Sequence, residues 1–182
     1  MGLLDDTDDP IFRRELDKAT TASTAFDLPA ITQQVVEIAA RHGRSIRYKR
    51  VATRNAPIED PASPWVNCHA YALGLQTCGA FREITKTPES DFVASLVESG
   101  VLSDRVPEPV RDRDLVLYRK GEHITHAGVV FSCEIESKWG EGSIFRHTLF
   151  AIPLRYGSVV TFYAAPELAA VEDAYRSWFE PA

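Results

Sequence analysis

Three cysteines and five histidines are the residues of this 182-residue chain best suited to nucleophilic or metal chemistry. One thiol stands out, in the segment Trp65-Val66-Asn67-Cys68-His69-Ala70-Tyr71-Ala72-Leu73-Gly74. A loop holding Pro57, Pro61 and Pro64 ends there and a helical pattern begins. Asn67 is a good N-cap, which places Cys68 at the first helical position. A thiol at that position feels the positive end of the helix dipole and unpaired amide groups, and both favour the thiolate. The same amides suit a developing oxyanion. Cys78 and Cys133 read as structural thiols: one sits at a helix end near Leu75 and Phe81, the other follows an apolar strand.

A thiol nucleophile needs a base. His126 opens the apolar run Ala127-Gly128-Val129-Val130-Phe131, and its small neighbours allow another element to approach the strand closely. A histidine so placed can face the start of a packed helix and take the thiol proton. His123, beside Gly121-Glu122, reads as a residue of a solvated turn, and His42 as a helix-end residue. His69 is one step along the helix from Cys68, about 100° around its axis, and reads as packing or capping. A third polar group should orient the imidazole. Two candidates lie on later strands: His147, whose imidazole can accept from the first, and Glu136, whose carboxylate would do so more strongly. The residues do not choose between them. Asn67, Lys138 and Trp139 are candidates for contacting substrate. A zinc site of Cys68, His69, His126 and His147 is the competing chemistry, but adjacent Cys68 and His69 lack the loop spacing of zinc ligands, so no cofactor is expected.

The elements that must position these residues follow from periodicity and punctuation. Helices are predicted over Pro10–Ala19, Pro29–Arg41 (closed by Gly43), Asn67–Thr77 (closed by Gly79), Thr87–Ser99 (capped by Thr87, with Pro88 at the first position and Gly100 as the stop) and Pro166–Phe179. Strands are predicted over 45–52, 114–119, 124–131, 135–139, 143–150 and 158–163, with Gly140 and Gly142 marking a tight hairpin. Residues 1–9 are acidic and read as frayed. The expected fold class is α+β: N-terminal helices packed on an antiparallel sheet of about five to six strands, with residues 1–60 as a helical extension on a core of 61–182, in one compact domain.

Composition excludes several classes. Twenty Lys and Arg against 26 Asp and Glu leave a net charge of −6, the wrong sign for neutralising phosphates, so no nucleic-acid partner is expected. No apolar run is long enough to span a bilayer, so no membrane partner is expected either. The first residues lack a basic segment followed by an apolar one, and three cysteines without a CxxC spacing suit a reducing compartment; a cytoplasmic location is the expectation.

The order of a helix-borne Cys68, a strand-borne His126 and a polar residue on a later strand resembles that of papain-fold cysteine hydrolases. More narrowly it resembles the NlpC-type and CHAP-type peptidoglycan hydrolases. Cys68-His69-Ala70-Tyr71-Ala72 is similar to the CHAP pattern of Cys, two residues, an aromatic and a small residue. Asp114-Leu115-Val116-Leu117-Tyr118 resembles the Gly-Asp-Val/Leu-Val-Phe strand of both families, with Arg113 where the Gly would stand. His126-Ala127-Gly128-Val129-Val130 is similar to their His-Val-Gly/Ala-Ile strand. A bacterial group with papain-like features also shares an Asn-Cys start, a Ser-Lys-Trp-Gly element (Ser137 to Gly140) and a following histidine, which favours His147 as third residue. The resemblance covers roughly Trp65 to Tyr163. It implies a papain-like fold and a thiol peptidase or amidase, with a peptide, peptidoglycan-like or protein substrate. The same site would serve a deamidase or a transacylase, and an inactive papain-like module would bind a protein partner instead.

Overall fold

The computed structural model describes residues 6–21, 28–50, 56–105, 109–140 and 142–180. Helices α1 (Pro10–Thr21) and α2 (Leu28–Arg41) lead into strand β1 (Ile46–Arg50). Short helices α3 (Cys68–Ala72) and α4 (Gly79–Ile84) follow, then α5 (Ser90–Glu98). Strands β2 (Leu115–Lys120), β3 (His123–Phe131), β4 (Glu134–Lys138), β5 (Ile144–His147) and β6 (Val159–Tyr163) precede a closing helix α6 (Leu168–Phe179). The predicted end of the first strand, Val51 and Ala52, lies outside the described residues.

All six strands join one antiparallel sheet in the order β1-β5-β4-β3-β2-β6. The first 60 residues therefore contribute an edge strand as well as helices. Alternation splits β2, β3 and β6 between two cores, and β1, β4 and β5 contribute to one of them. Val116, Tyr118, Val130, Ile135, Phe145 and Phe162 face Phe12, Leu16, Val35 and Ile38 of α1 and α2. Leu115, Leu117 and Ala127 face Ala70, Phe81, Phe92 and Tyr175 of α3 to α6. The sheet is the middle of three layers.

Several expectations are corrected. From Asp6 the acidic start is engaged: Asp9 Oδ1 accepts the amides of Ile11 (3.1 Å) and Phe12 (3.2 Å), capping α1, and Asp6 pairs with Arg44, while residues 1–5 lie outside the described residues. The helix predicted over 67–77 is broken. α3 ends after five residues, with Gly74 in the left-handed region (φ 75°), and a 3₁₀ turn over Leu75–Thr77 follows. Gly79 opens α4 rather than closing a helix. α5 starts at Ser90, two residues after Pro88. The Pro88 carbonyl is instead turned toward α3, where it accepts from the Asn67 side chain (2.8 Å) and from His69 Nδ1 (3.2 Å). Cys133 lies exposed in the β3–β4 turn, where Ser132 and Cys133 both have positive φ (49° and 64°).

The β3–β4 ladder runs only through Val129–Phe131 and Glu134–Glu136. Gly128 stands where it stops. A Cβ there would lie 2.6 Å from Ile135 Cγ2 and 3.1 Å from the Ser137 Cβ. Gly128→Ala should cost about 1–3 kcal/mol through overpacking, read as a fall in the urea midpoint at unchanged slope. An unchanged midpoint would show slack in this seam that the geometry does not have.

Candidate thiol–imidazole site

Cys68 is the first residue of α3, as the cap argument requires. Asn67 is the N-cap: its Oδ1 accepts the Ala70 amide at 2.8 Å. Its Nδ2 is committed to the Pro88 carbonyl, so both ends of this side chain position the helix start. Cys68 is 9% exposed, so burial alone would raise its pKa. The charge of His69, and after it that of His126, outweighs burial and holds the thiol well below its ordinary value. The coupling is mutual for His69: burial depresses the imidazole, and the neighbouring thiolate more than offsets that and raises it.

His126 and Cys68 approach from different layers. In the ladder His126 lies opposite Tyr118, on the sheet face covered by α1 and α2, whereas Ala70 of α3 belongs to the core on the other face. They meet because β3 has no β4 partner beyond Val129, and α3 packs against both strands at that seam. The His126 ring is fully buried, and no group other than the Cys68 thiol reaches its nitrogens. Stacking orients it instead: the Tyr156 ring lies 3.9 Å away at 10°, and the Tyr118 ring 5.6 Å away.

Tyr156 is in turn fixed from the N-terminal helices. Arg13 of α1, fully buried, donates to the carbonyls of Ile152 (3.0 Å) and Gly157 and to Ser158 Oγ (2.8 Å), and pairs with Asp8 (2.7 Å). Asp17, also on α1, pairs with Arg155 at 2.9 Å, and the Arg155 guanidinium lies 4.7 Å over the Tyr156 ring. Thr125 adds a bond to the Tyr156 carbonyl at 2.5 Å. The first 60 residues thus reach the site through the segment 152–158.

The third-residue candidates do other work. His147 is fully buried, on the same sheet face as His126. Its Nδ1–H donates to the Thr148 carbonyl (2.8 Å), and its Nε2 accepts from Ser137 Oγ (2.8 Å). Ser137 accepts from Trp139 Nε1 at 3.0 Å, so the network is closed without His126. Glu136 faces the opposite way. It accepts from Tyr71 and pairs with Lys49 (2.7 Å) and Arg146 (2.8 Å), tying α3 and β1 to β4. Burial raises this carboxyl and the three partners outweigh it, leaving it low. Neither residue hydrogen-bonds His126, so the orienting role expected for them is not made.

Trp139 and Lys138 are both buried; Lys138 donates to the Gly142 carbonyl at 2.7 Å. Trp139 lines a cavity of about 240 Å³ with Arg155, Thr32 and Ile31, and Cys68 is not part of its lining. The residue that sequence reasoning missed is His69. Its helical angle suggested a direction away from Cys68, and no local signal marked the Pro88 carbonyl that holds it. Trp65, three residues before the thiol, is 61% exposed.

Among the described residues no group of three or more His, Cys, Asp and Glu is arranged to hold a metal ion, and no helix is long and apolar enough to cross a membrane. No protein-family model, curated protein or solved structure matches the chain.

Burial pushes the His147 ring down to about 3. The unfolded ring takes its proton near about 6.5. Between those values the unfolded chain binds a proton that the folded chain does not. The stability His147 contributes is therefore complete above about pH 6.5 and is lost as pH falls toward 3, by about 1.4 kcal/mol per unit. His147→Gln should flatten the fall in urea stability between about pH 6 and about pH 4 by close to one proton. Parallel profiles for the two proteins would contradict this assignment.

Proposed function

We propose that this chain is a cysteine-nucleophile hydrolase of papain-like arrangement, acting on an amide bond as a peptidase or amidase. The observation that carries the reading is one buried thiol paired with two buried imidazoles, which keep ring nitrogens that nothing else in the protein satisfies. A structural cysteine has no use for such surroundings. Unpaired polar atoms out of water cost stability, and they persist where an incoming group supplies the missing partner. The order of a helix-borne thiol followed by a strand-borne histidine supports the papain-like arrangement.

The Cys68 thiolate attacks the substrate carbonyl and forms the S–C bond as the carbonyl electrons move onto oxygen. The amides of Cys68 and His69 open the helix and have no intrahelical acceptor, so they are suited to the resulting oxyanion. The proton of the thiol passes to an imidazole beside it, and His126 serves as a general base of the cycle. The oxyanion collapses, the C–N bond breaks and the amine leaves with the imidazolium proton; water that gives a proton to an imidazole then displaces the acyl group and restores the thiol. An amine in place of that water makes the site a transacylase, and a Gln side chain as substrate makes it a deamidase. Trp65 offers an exposed apolar lip for a peptide, peptidoglycan-like or protein substrate.

Incubation with p-nitrophenyl acetate, followed by peptide mass spectrometry, tests the nucleophile. An acetyl group on Cys68 that decays with time is expected, and the burst of nitrophenol should vanish in Cys68→Ala. Acetylation confined to the exposed Cys133 would refute the hydrolase reading and leave the fold as a binding module.

A further inference from the structure

The Pro88 carbonyl accepts two hydrogen bonds from the residues on either side of the thiol, Asn67 Nδ2 at 2.8 Å and His69 Nδ1 at 3.2 Å. A carbonyl can only accept, so His69 carries its proton on Nδ1. Its Nε2 is then a bare lone pair, buried and satisfied by no group of the protein other than the Cys68 thiol, the ring's side-chain partner. The ring is 4% exposed and held at a fixed tautomer beside Cys68. His126 also pairs with the thiol but has no comparable anchor: no second group fixes its tautomer, and stacking alone orients the ring. Of the two imidazoles, the one with a defined acceptor nitrogen is His69.

We infer that His69 takes the Cys68 proton, with Nε2 as acceptor and Nδ1–H held on the Pro88 carbonyl, leaving His126 to activate the water of deacylation. The inference rests on the thiol-hydrolase reading and assigns its first proton transfer. The S–H bond breaks, its electron pair stays on sulfur, and an N–H bond forms at Nε2. The product is a thiolate beside an imidazolium whose second N–H already has an acceptor. The segment 88–90 ties this pair to the other imidazole, because Ser90 Oγ donates to the Ile124 carbonyl of β3 at 2.6 Å. The titratable groups facing the pair are His126 from β3, Tyr156 from segment 152–158, and Glu89, which favours the charged form of His69.

His69→Asn tests the assignment, because the Asn amide can still donate to the Pro88 carbonyl while the acceptor nitrogen is lost. Alkylation of Cys68 by iodoacetamide near pH 6 should fall by roughly tenfold or more, the effect of moving the thiol by one unit or more, and should recover at high pH. His126→Asn should shift that profile less. As a second readout, the His69 imidazole followed by NMR in Cys68→Ala should titrate at lower pH than in the wild type, since paired groups titrate together. An unchanged alkylation profile in His69→Asn, or a His69 titration indifferent to Cys68→Ala, overturns the inference. Failure of the hydrolase reading looks different: Cys68 stays acidic in a His69-dependent way but takes no acyl group.

Discussion

The site depends on one opposition: a thiol almost out of water can ionise only if nearby positive charge outweighs the cost of burying the thiolate. At Cys68 that charge comes from two imidazoles. The helix dipole contributes less than the longer predicted helix implied, because α3 has five residues and few aligned peptides to sum. The shorter the helix, the more the site relies on His69 and His126. Each ring therefore needs its own means of support.

The two supports differ in kind. His69 is held by a carbonyl from the segment before α5, close in sequence to the α3 layer. His126 is held by an aromatic stack whose other member, Tyr156, is fixed by Arg13, Asp17 and Thr125. A buried guanidinium satisfied by several oxygens, three of them main-chain carbonyls, is a stiff clamp, and its fork geometry fixes direction as well as distance. The N-terminal helices therefore do more than cover one face of the sheet. On the other face Glu136 draws Tyr71, Lys49 and Arg146 together and sets the height of α3 above β4.

Much of this was legible in the sequence where local chemistry decides. Asn67 as cap, Cys68 as the first helical residue, the places of the strands along the chain and the small residues after His126 all follow from near neighbours. The length of α3 did not, because Gly74 inside an apolar helical pattern reads as tolerated while its left-handed backbone ends the helix. The role of His69 was hidden because it rests on a carbonyl 19 positions away, and a main-chain acceptor leaves no mark on residue type. Glu136 and His147 were both plausible partners for His126 on residue type alone. Register separates them: Glu136 lies opposite Val129 on one face of the sheet and His147 opposite Ile135 on the other, where Ser137 already occupies its Nε2.

The most direct test of the account is the ultraviolet absorbance of the Cys68 thiolate across pH, taken as wild type minus Cys68→Ala in the native protein. The account predicts a single inflection well below the value near about 8.5 of a free thiol. An inflection at or above that value, as burial without the two imidazoles would produce, would contradict it.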